Sequence, residues 1–397
     1  PVVTGQERGI IAAASYEAKA LGIRRGITLQ EARKLCPDLV ILPSDYEAYG
    51  LVSRRLFNIM RQFTPLVEEY SIDEAFADIT GLRRLFRCPY EDIARQLQAA
   101  IHRELGVTVG VGLSLTRTLA KLCSKYRKPA GFTAVPGGKI HLLLQRTALE
   151  KVTGFGPGTV ALLEKNGLRT AYDFIRRPVG WVAGLLGKPG RDLWNELRGT
   201  PVIPLETVAR SARYSIIKSK TFAPPSSDRA QIYARLIENA EAAFARLRRH
   251  HLRTGCVGVV LRRQDFQHDG LEGRLAHPAG SLQEVAPIVE QLFNRIFDPA
   301  RAYRATLIAL QQFENAGAEQ LDFFVNQPKL EAIRRLTTAM DDLNRRFGRQ
   351  TLQPAAILCL REAPPDTRSE PPVRRLQTMP GESRRRRLAI PRLNIKV

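Results

Sequence analysis

The chain has no apolar run reaching the roughly 18 residues that a membrane span needs, and no leader of the secretory type opens it. Cysteine is sparse. Cys36, Cys88, Cys123, Cys256 and Cys359 are scattered, with no C-x-x-C pair and no histidines at ligand spacing beside them. That pattern argues against a zinc site or a disulfide framework and fits a reducing cytoplasm. Acid is also in short supply: 39 Asp and Glu stand against 61 Lys and Arg, a formal net charge of +22. Such an excess points to a polyanionic partner, and without a span or leader nucleic acid comes ahead of a membrane surface. There is no internal repeat. An initiating Met is missing too; the chain begins at Pro1, and "PVVTG" reads as the middle of a strand, so a natural N-terminus further upstream is expected.

What is present is ordinary globular material, 44% hydrophobic and 25% charged over 397 residues, enough for two to four domains. Residues 1–45 set a β-like run, "GIIAAAS", before two helix-forming stretches, "YEAKALG" and "TLQEARKLC". From Tyr46 to Phe63 apolar residues recur at helical spacing. Two short strands, the helix "YEDIARQLQAAIHREL", the β-rich "VTVGVGLS" and the helix "TRTLAKLCSKY" follow, suggesting an antiparallel or mixed sheet with helices on one side. Residues 137–206 read as short helices punctuated by Gly and Pro. A connector near 207–213 leads to a second α+β unit: strand 214–222, helix 228–249, strands 255–264 and 271–277, helix 282–297 and strand 303–313. The helix "KLEAIRRLTTAMDDLNRRFG" closes this part, and from about Arg361 a Pro- and Arg-rich tail reads as disordered.

Between the two short strands, "EEYSIDEAFADITG" sets Asp73 and Glu74 side by side among apolar residues. Neighbours on a regular strand point to opposite faces, so these acids can converge only at a hairpin end or bulge. A solvated turn would accommodate them. So would a divalent-metal site, since Mg²⁺ is commonly held by one or two carboxylates with phosphate and water completing its shell.

"SIDEAFADITG" closely resembles the palm motif of the Y-family (translesion) DNA polymerases, and the likeness runs in consistent order through residues 1–355. "AASYEAKALGIRRGITLQEARKLCPDLVILPSDYEAY" resembles the family's fingers, "VTVGVGLSLTRTLAKLCSKYRKPAG" its palm strand and helix, and "ALEKVTGFGPGTVALLEKNGLRT" its thumb. "LNRRFGRQTL" is similar to an end-of-domain signature of bacterial members. The resemblance implies an α+β right-hand polymerase with fingers (1–45), palm (46–136), helical thumb (137–206), linker (207–213) and an α+β little finger (214–314). A clamp-binding peptide and C-terminal helix (315–360) and a basic tail (361–397) complete it. It implies template-directed nucleotidyl transfer in translesion synthesis, a DNA-repair function, with two Mg²⁺ ions about 4 Å apart. Asp73 would be a metal ligand, and Glu74 would bind or orient the ion on the primer-hydroxyl side. Asp78 is expected to be structural. Primer-template DNA and deoxynucleoside triphosphates are the implied partners, in a cytoplasmic monomer.

Family members carry a further catalytic Asp on the first strand, in a D-x-D-x-F/Y segment that also brings a steric gate against ribonucleotides. This chain begins at the P-V-V-like position after it. Truncation is the favoured explanation and a non-catalytic relative the alternative. A chain starting at Pro1 is expected to bind metal poorly and polymerise weakly or not at all.

By the same resemblance Tyr16, Lys19 and Lys128 would face the triphosphate. Lys19 replaces a commoner Arg, keeping the charge and losing the planar fork. Lys121 is an intermediate case. "GFGPGT" resembles a helix-hairpin-helix turn, with Gly154, Gly156 and Thr159 bringing backbone amides to a DNA phosphate. "RYSIIKSKTF" resembles the little finger's first strand, where Ser215, Lys218 and Lys220 are candidate DNA contacts; the two lysines share a face at period two. Arg262, Arg263 and Arg304 are further candidates. "QLDFF" is similar to the bacterial sliding-clamp pentapeptide, with Gln320, Leu321 and Phe324 as its anchors. Two rivals remain: a non-catalytic accessory protein binding clamp and DNA, and a helix-hairpin-helix nuclease, which leaves Tyr16, Lys128 and the little finger unexplained.

Overall fold

The structure is a computed structural model describing residues 1–207, 215–317, 327–348 and 351–361. The described residues form two compact units, one made of 1–44 together with the residues from 215 onward, the other of 45–207.

In the first unit, β1 (Val2–Thr4) is the centre of a three-stranded sheet, antiparallel to β2 (Ala13–Ala14). The expected strand through 9–15 shrinks to those two residues. Ile11 instead exchanges backbone bonds with Ile27 and Gly26, at 2.9 Å each. Helix α1 (Tyr16–Ala20) starts at Ser15, whose hydroxyl accepts the Ala18 amide. Helix α2 (Leu29–Leu35) starts at a Thr28/Glu31 capping box. β3 (Val40–Leu42) returns parallel to β1, and Val3, Ile11, Ala18, Ile23 and Ala32 form the small core beneath.

The second unit opens with α3 (Tyr46–Phe63), capped by Asp45. β4 (Val67–Glu69) and β5 (Ala75–Ala77) form an antiparallel hairpin, followed by α4 (Arg83–Phe86) and α5 (Tyr90–Leu105). Phe57, Met60, Leu97 and Ile101 join α3 to α5. Next, β6 (Val111–Leu113), α6 (Arg117–Tyr126) and β7 (Phe132–Ala134) make a parallel crossover. In place of the antiparallel or mixed sheet expected for this segment there are, among the described residues, two separate two-stranded ladders. The strands are three residues each, and α6 grips the hairpin through side-chain ion pairs rather than a continuous ladder.

Helix α6 has two faces. Leu119, Leu122 and Cys123 join the core of a helical cluster built from α7 (Ile140–Gln145), α8 (Pro157–Lys165), α9 (Ala171–Arg176) and α10 (Val179–Leu197). Burial pushes the Cys123 thiol up to about 11, as for an inert packed cysteine. Glu196 is fully buried at the end of α10, where its carboxylate accepts the amides of Thr118, Val202 and Ile203 at 3.0–3.3 Å. The segment leaving α10 is thereby fastened to the start of α6.

The rest of the first unit comprises β8 (Ser215–Ser226), α11 (Arg229–Arg249), β9 (Leu252–Arg263), β10 (His268–Ala279), α12 (Leu282–Ile296) and β11 (Tyr303–Asn315). The antiparallel sheet has the order β10-β9-β11-β8. Val257, Val259, Leu261 and Ile308 pack one face against Phe244 of α11 and Phe293 of α12. Helix α13 (Gln327–Phe347) is tied to α11 by Arg248, which donates to both Asp341 oxygens at 2.7 and 2.8 Å.

The seat of α6 depends on Gly112, where an added Cβ would lie 2.0 Å from the Ala120 carbonyl oxygen. Gly112→Ala is expected to cost about 3 kcal/mol or prevent folding. Gly138→Ala, with nothing within 4 Å of its Cβ, should change stability far less. Chemical denaturation of the two variants checks this.

Candidate active site

The β4–β5 ladder pairs Glu69 with Ala75, so Tyr70 to Glu74 form the hairpin loop. The Ser71 amide closes it by donating to the Glu74 carbonyl at 2.9 Å. Asp73 and Glu74 thus stand at a hairpin end, where strand alternation no longer separates them. The Ser71 hydroxyl donates to Asp73 Oδ1 at 2.7 Å. Glu74 accepts from a residue 47 positions away, Lys121, whose Nζ lies 2.9 Å from Oε2. Asp78 is structural: its carboxylate accepts the Thr80 amide, and its carbonyl accepts the Thr64 hydroxyl.

Helix α6 supplies the cations. Arg117, Lys121 and Lys125 recur at four-residue spacing and share one face. Arg117 donates to Glu68 Oε1 at 2.9 Å in a buried pair, and its other nitrogen donates to the Pro204 carbonyl at 3.2 Å. The Glu206 amide donates to the second Glu68 oxygen at 3.3 Å. The Arg117 guanidinium lies 4.8 Å from the Phe76 ring centre and 5.5 Å from that of Tyr70. Lys121 Nζ lies 4.1 Å from the Tyr70 centre. Burial, then repulsion from Lys121, lowers the Lys125 pKa; Lys128 adds to the repulsion and Glu74 opposes it. Lys128 is exposed in a loop that Gln98 braces, donating to the Val109 and Ala130 carbonyls at 2.8 and 3.1 Å.

The donors at the tip, two carboxylates beside a hydroxyl, are hard oxygens suited to Mg²⁺. Glu74 already accommodates a cation, the Lys121 ammonium. Among the described residues no group of three or more His, Cys, Asp or Glu could hold a metal. The donor chemistry of Asp73 and Glu74 fits an ion that takes one or two carboxylates and completes its shell with substrate oxygens.

Tyr16 and Lys19 belong to the other unit. They sit one turn apart on α1, with Lys19 Nζ 4.5 Å from the centre of the half-exposed Tyr16 ring. In the 154–159 turn, Gly154 has φ +106°, and a Cβ there would lie 2.8 Å from Leu193. Phe155 is buried against Phe174, anchoring the turn. Gly156 is the exposed N-cap of α8 with no side-chain cap, and Thr159 is in its first turn. The Gly158 and Thr159 amides are left facing outward from the helix start.

Residues 1–125 match the model of the impB/mucB/samB family, and residues 213–323 match that of the impB/mucB/samB family C-terminal domain. The chain is 32% identical over 361 residues to the DNA polymerase IV of Moorella thermoacetica, spanning 90% of this chain and 89% of the relative. It is 30% identical to that of Opitutus terrae, spanning 91% and 92%. The chain belongs to the Y-family DNA polymerases. A Y-family DNA polymerase chimera of known structure matches with a TM-score of 0.68 at 20% identity, over 79% of this chain and 92% of that one. That likeness supports the α+β polymerase fold. Y-family polymerases are metal-dependent, in keeping with the oxygen donors at the hairpin tip.

The candidate DNA-contacting basic residues of the four-stranded sheet differ in their surroundings. Lys218 and Lys220 share the face of Ile216 and Phe222, which packs on α11, and Lys220 Nζ pairs with Glu238 of α11 at 3.2 Å. The open face of β8 carries Ser215, Ile217, Ser219 and Thr221, all exposed. Arg263 is bound to Asp269, and Arg262 and Arg304 stack on the Phe266 ring. Gln320, Leu321 and Phe324 lie outside the described residues. Sequence reasoning missed Glu68, Arg117 and Lys125; only the four-residue spacing on α6 signalled the two cations.

Removing one member of the Arg117–Glu68 pair strands a buried charge. Arg117→Met is expected to lower stability by about 3 kcal/mol, and adding Glu68→Leu to recover much of it. Denaturant titration of the two single variants and the double variant measures the coupling.

Proposed function

We propose that this chain is a template-directed DNA polymerase performing translesion synthesis, joining deoxynucleoside triphosphates to a primer 3′-hydroxyl. The observation that carries this reading is the hairpin tip. Of two consecutive carboxylates, Glu74 is bonded to Lys121 and within electrostatic reach of Lys125, which in turn feels Lys128, a setting that suits a triphosphate and its counter-ions. Asp73 and Glu74 would hold Mg²⁺, as two ions, with phosphate oxygens completing the shell. Bound there, the metal supplies Lewis-acid charge to the attacking hydroxyl and the leaving pyrophosphate. Ser71 orients Asp73 through its hydroxyl, and Lys121 orients Glu74. Lys128, Tyr16 and Lys19 would bind the triphosphate. Burial and then repulsion from Lys121 lower the Lys125 pKa, and a bound phosphate would relieve that repulsion, which supports phosphate binding.

In this reading residues 1–45 are the fingers, 46–136 the palm, 137–206 the thumb and 214–314 the little finger. The turn at Gly154, Gly156 and Thr159 would meet a DNA phosphate through the amides that open α8. On β8, Ser215 and its open-face neighbours would approach the DNA, with Lys218 and Lys220 supporting the strand from beneath. The Gln320, Leu321 and Phe324 peptide would tether the enzyme to a sliding clamp. A non-catalytic accessory role is not favoured, because relatives named DNA polymerase IV match about nine-tenths of the chain.

Primer extension by the protein expressed from its native gene tests the reading. Asp73→Asn is expected to reduce the rate at least about 100-fold while DNA binding persists. An unchanged rate would refute the metal role. For the tether, Gln320→Ala combined with Phe324→Ala is expected to weaken clamp binding more than about tenfold in surface plasmon resonance. Extension of a short primer without clamp should be unaffected; clamp binding that survives the double change removes the tether.

A further inference from the structure

The two acid–cation pairs that α6 makes with the hairpin differ in kind. Arg117 and Glu68 have side chains only 15% and 6% exposed, and each has another bond, to the Pro204 carbonyl and from the Glu206 amide. That pair is fixed. One turn along, the Lys121 side chain is 10% exposed but its partner Glu74 is 40% exposed, so the Glu74 side chain is approachable from solvent. Lys121 also rests 4.1 Å from the Tyr70 ring centre, a second site of attraction for its ammonium.

We propose that Lys121 is a positioning residue: its ammonium is a built-in counter-cation that holds Glu74 in place and yields the carboxylate oxygen when a divalent cation binds. The proposal rests on the reading of Glu74 as a metal ligand. An unpaired carboxylate at a loop tip would sample many rotamers. Pairing with Lys121 keeps Oε2 at one place beside Asp73's loop, at the cost of competing with the incoming ion. A partly exposed pair of this kind is weak enough to be displaced. The released ammonium keeps its place over the Tyr70 face, so the exchange leaves no buried cation without an attractive neighbour. Lys125, one turn further along the same face, lies within electrostatic reach of Lys121, so the two like charges oppose each other there.

Mn²⁺ titration followed by electron paramagnetic resonance, on the full chain without nucleotide or DNA, reads this competition directly. Lys121→Met keeps an apolar stem against Tyr70 and removes the charge. It is expected to tighten Mn²⁺ binding about three- to fivefold, while Lys121→Arg stays within twofold of the parent. In a Glu74→Gln background, Lys121→Met should have no effect on Mn²⁺. Unchanged or weaker Mn²⁺ binding in Lys121→Met, with Glu74→Gln still losing affinity, would overturn the counter-cation role and leave the metal reading intact. A Glu74→Gln protein that binds Mn²⁺ as well as the parent would overturn the metal reading itself, and this proposal with it.

Discussion

Helix α6 is seated on β6 at a separation only glycine permits, and this close approach governs the rest of the 45–207 unit. With Gly112 under Ala120, the helix cannot slide or rotate without a clash. Its apolar side is committed to the helical cluster through Leu119, Leu122 and Cys123. The opposite side must then face the β4–β5 hairpin, and there it presents Arg117 and Lys121. Backbone proximity thus fixes where two cations stand, and the cations fix the hairpin that carries Asp73 and Glu74.

The same helix gathers the chain after α10. Glu196 receives amides from Thr118 and from Val202 and Ile203, while Arg117 holds Pro204 and Glu68 receives Glu206. Each carboxylate is buried, and each is satisfied by several donors, the condition under which a buried charge can be retained. The consequence is that residues 202–206 share partners with the base of the acidic hairpin. A disturbance at Arg117 therefore reaches both.

Elements governed by local periodicity were legible in the sequence. The spacing from Tyr46 to Phe63 gives a helix with those bounds because one of its faces is buried against α5. The hairpin was legible because adjacent acids among apolar residues make poor strand interior. The orientation of β8 was not. Period two places Lys218 and Lys220 on one face, yet it does not say which face is covered, and the exposed Ile217 blurs the alternation of Ile216 and Phe222. Only α11, with Glu238 opposite Lys220, decides it. The Arg117–Glu68 pair spans 49 positions, a separation at which no local pattern exists.

Charge at the hairpin tip then acquires a simple logic. Two carboxylates alone would repel each other, and three lysines alone would repel each other more; placed together they leave a surplus of positive charge next to hard oxygen donors. Such a site favours a ligand that brings both anionic oxygens and its own cations, because each component relieves one of the two repulsions. A metal–triphosphate meets that requirement, whereas a bare cation would face the lysines and a bare anion the acids. The +22 net charge of the chain acts over a longer range, drawing in a polyanion of any sequence.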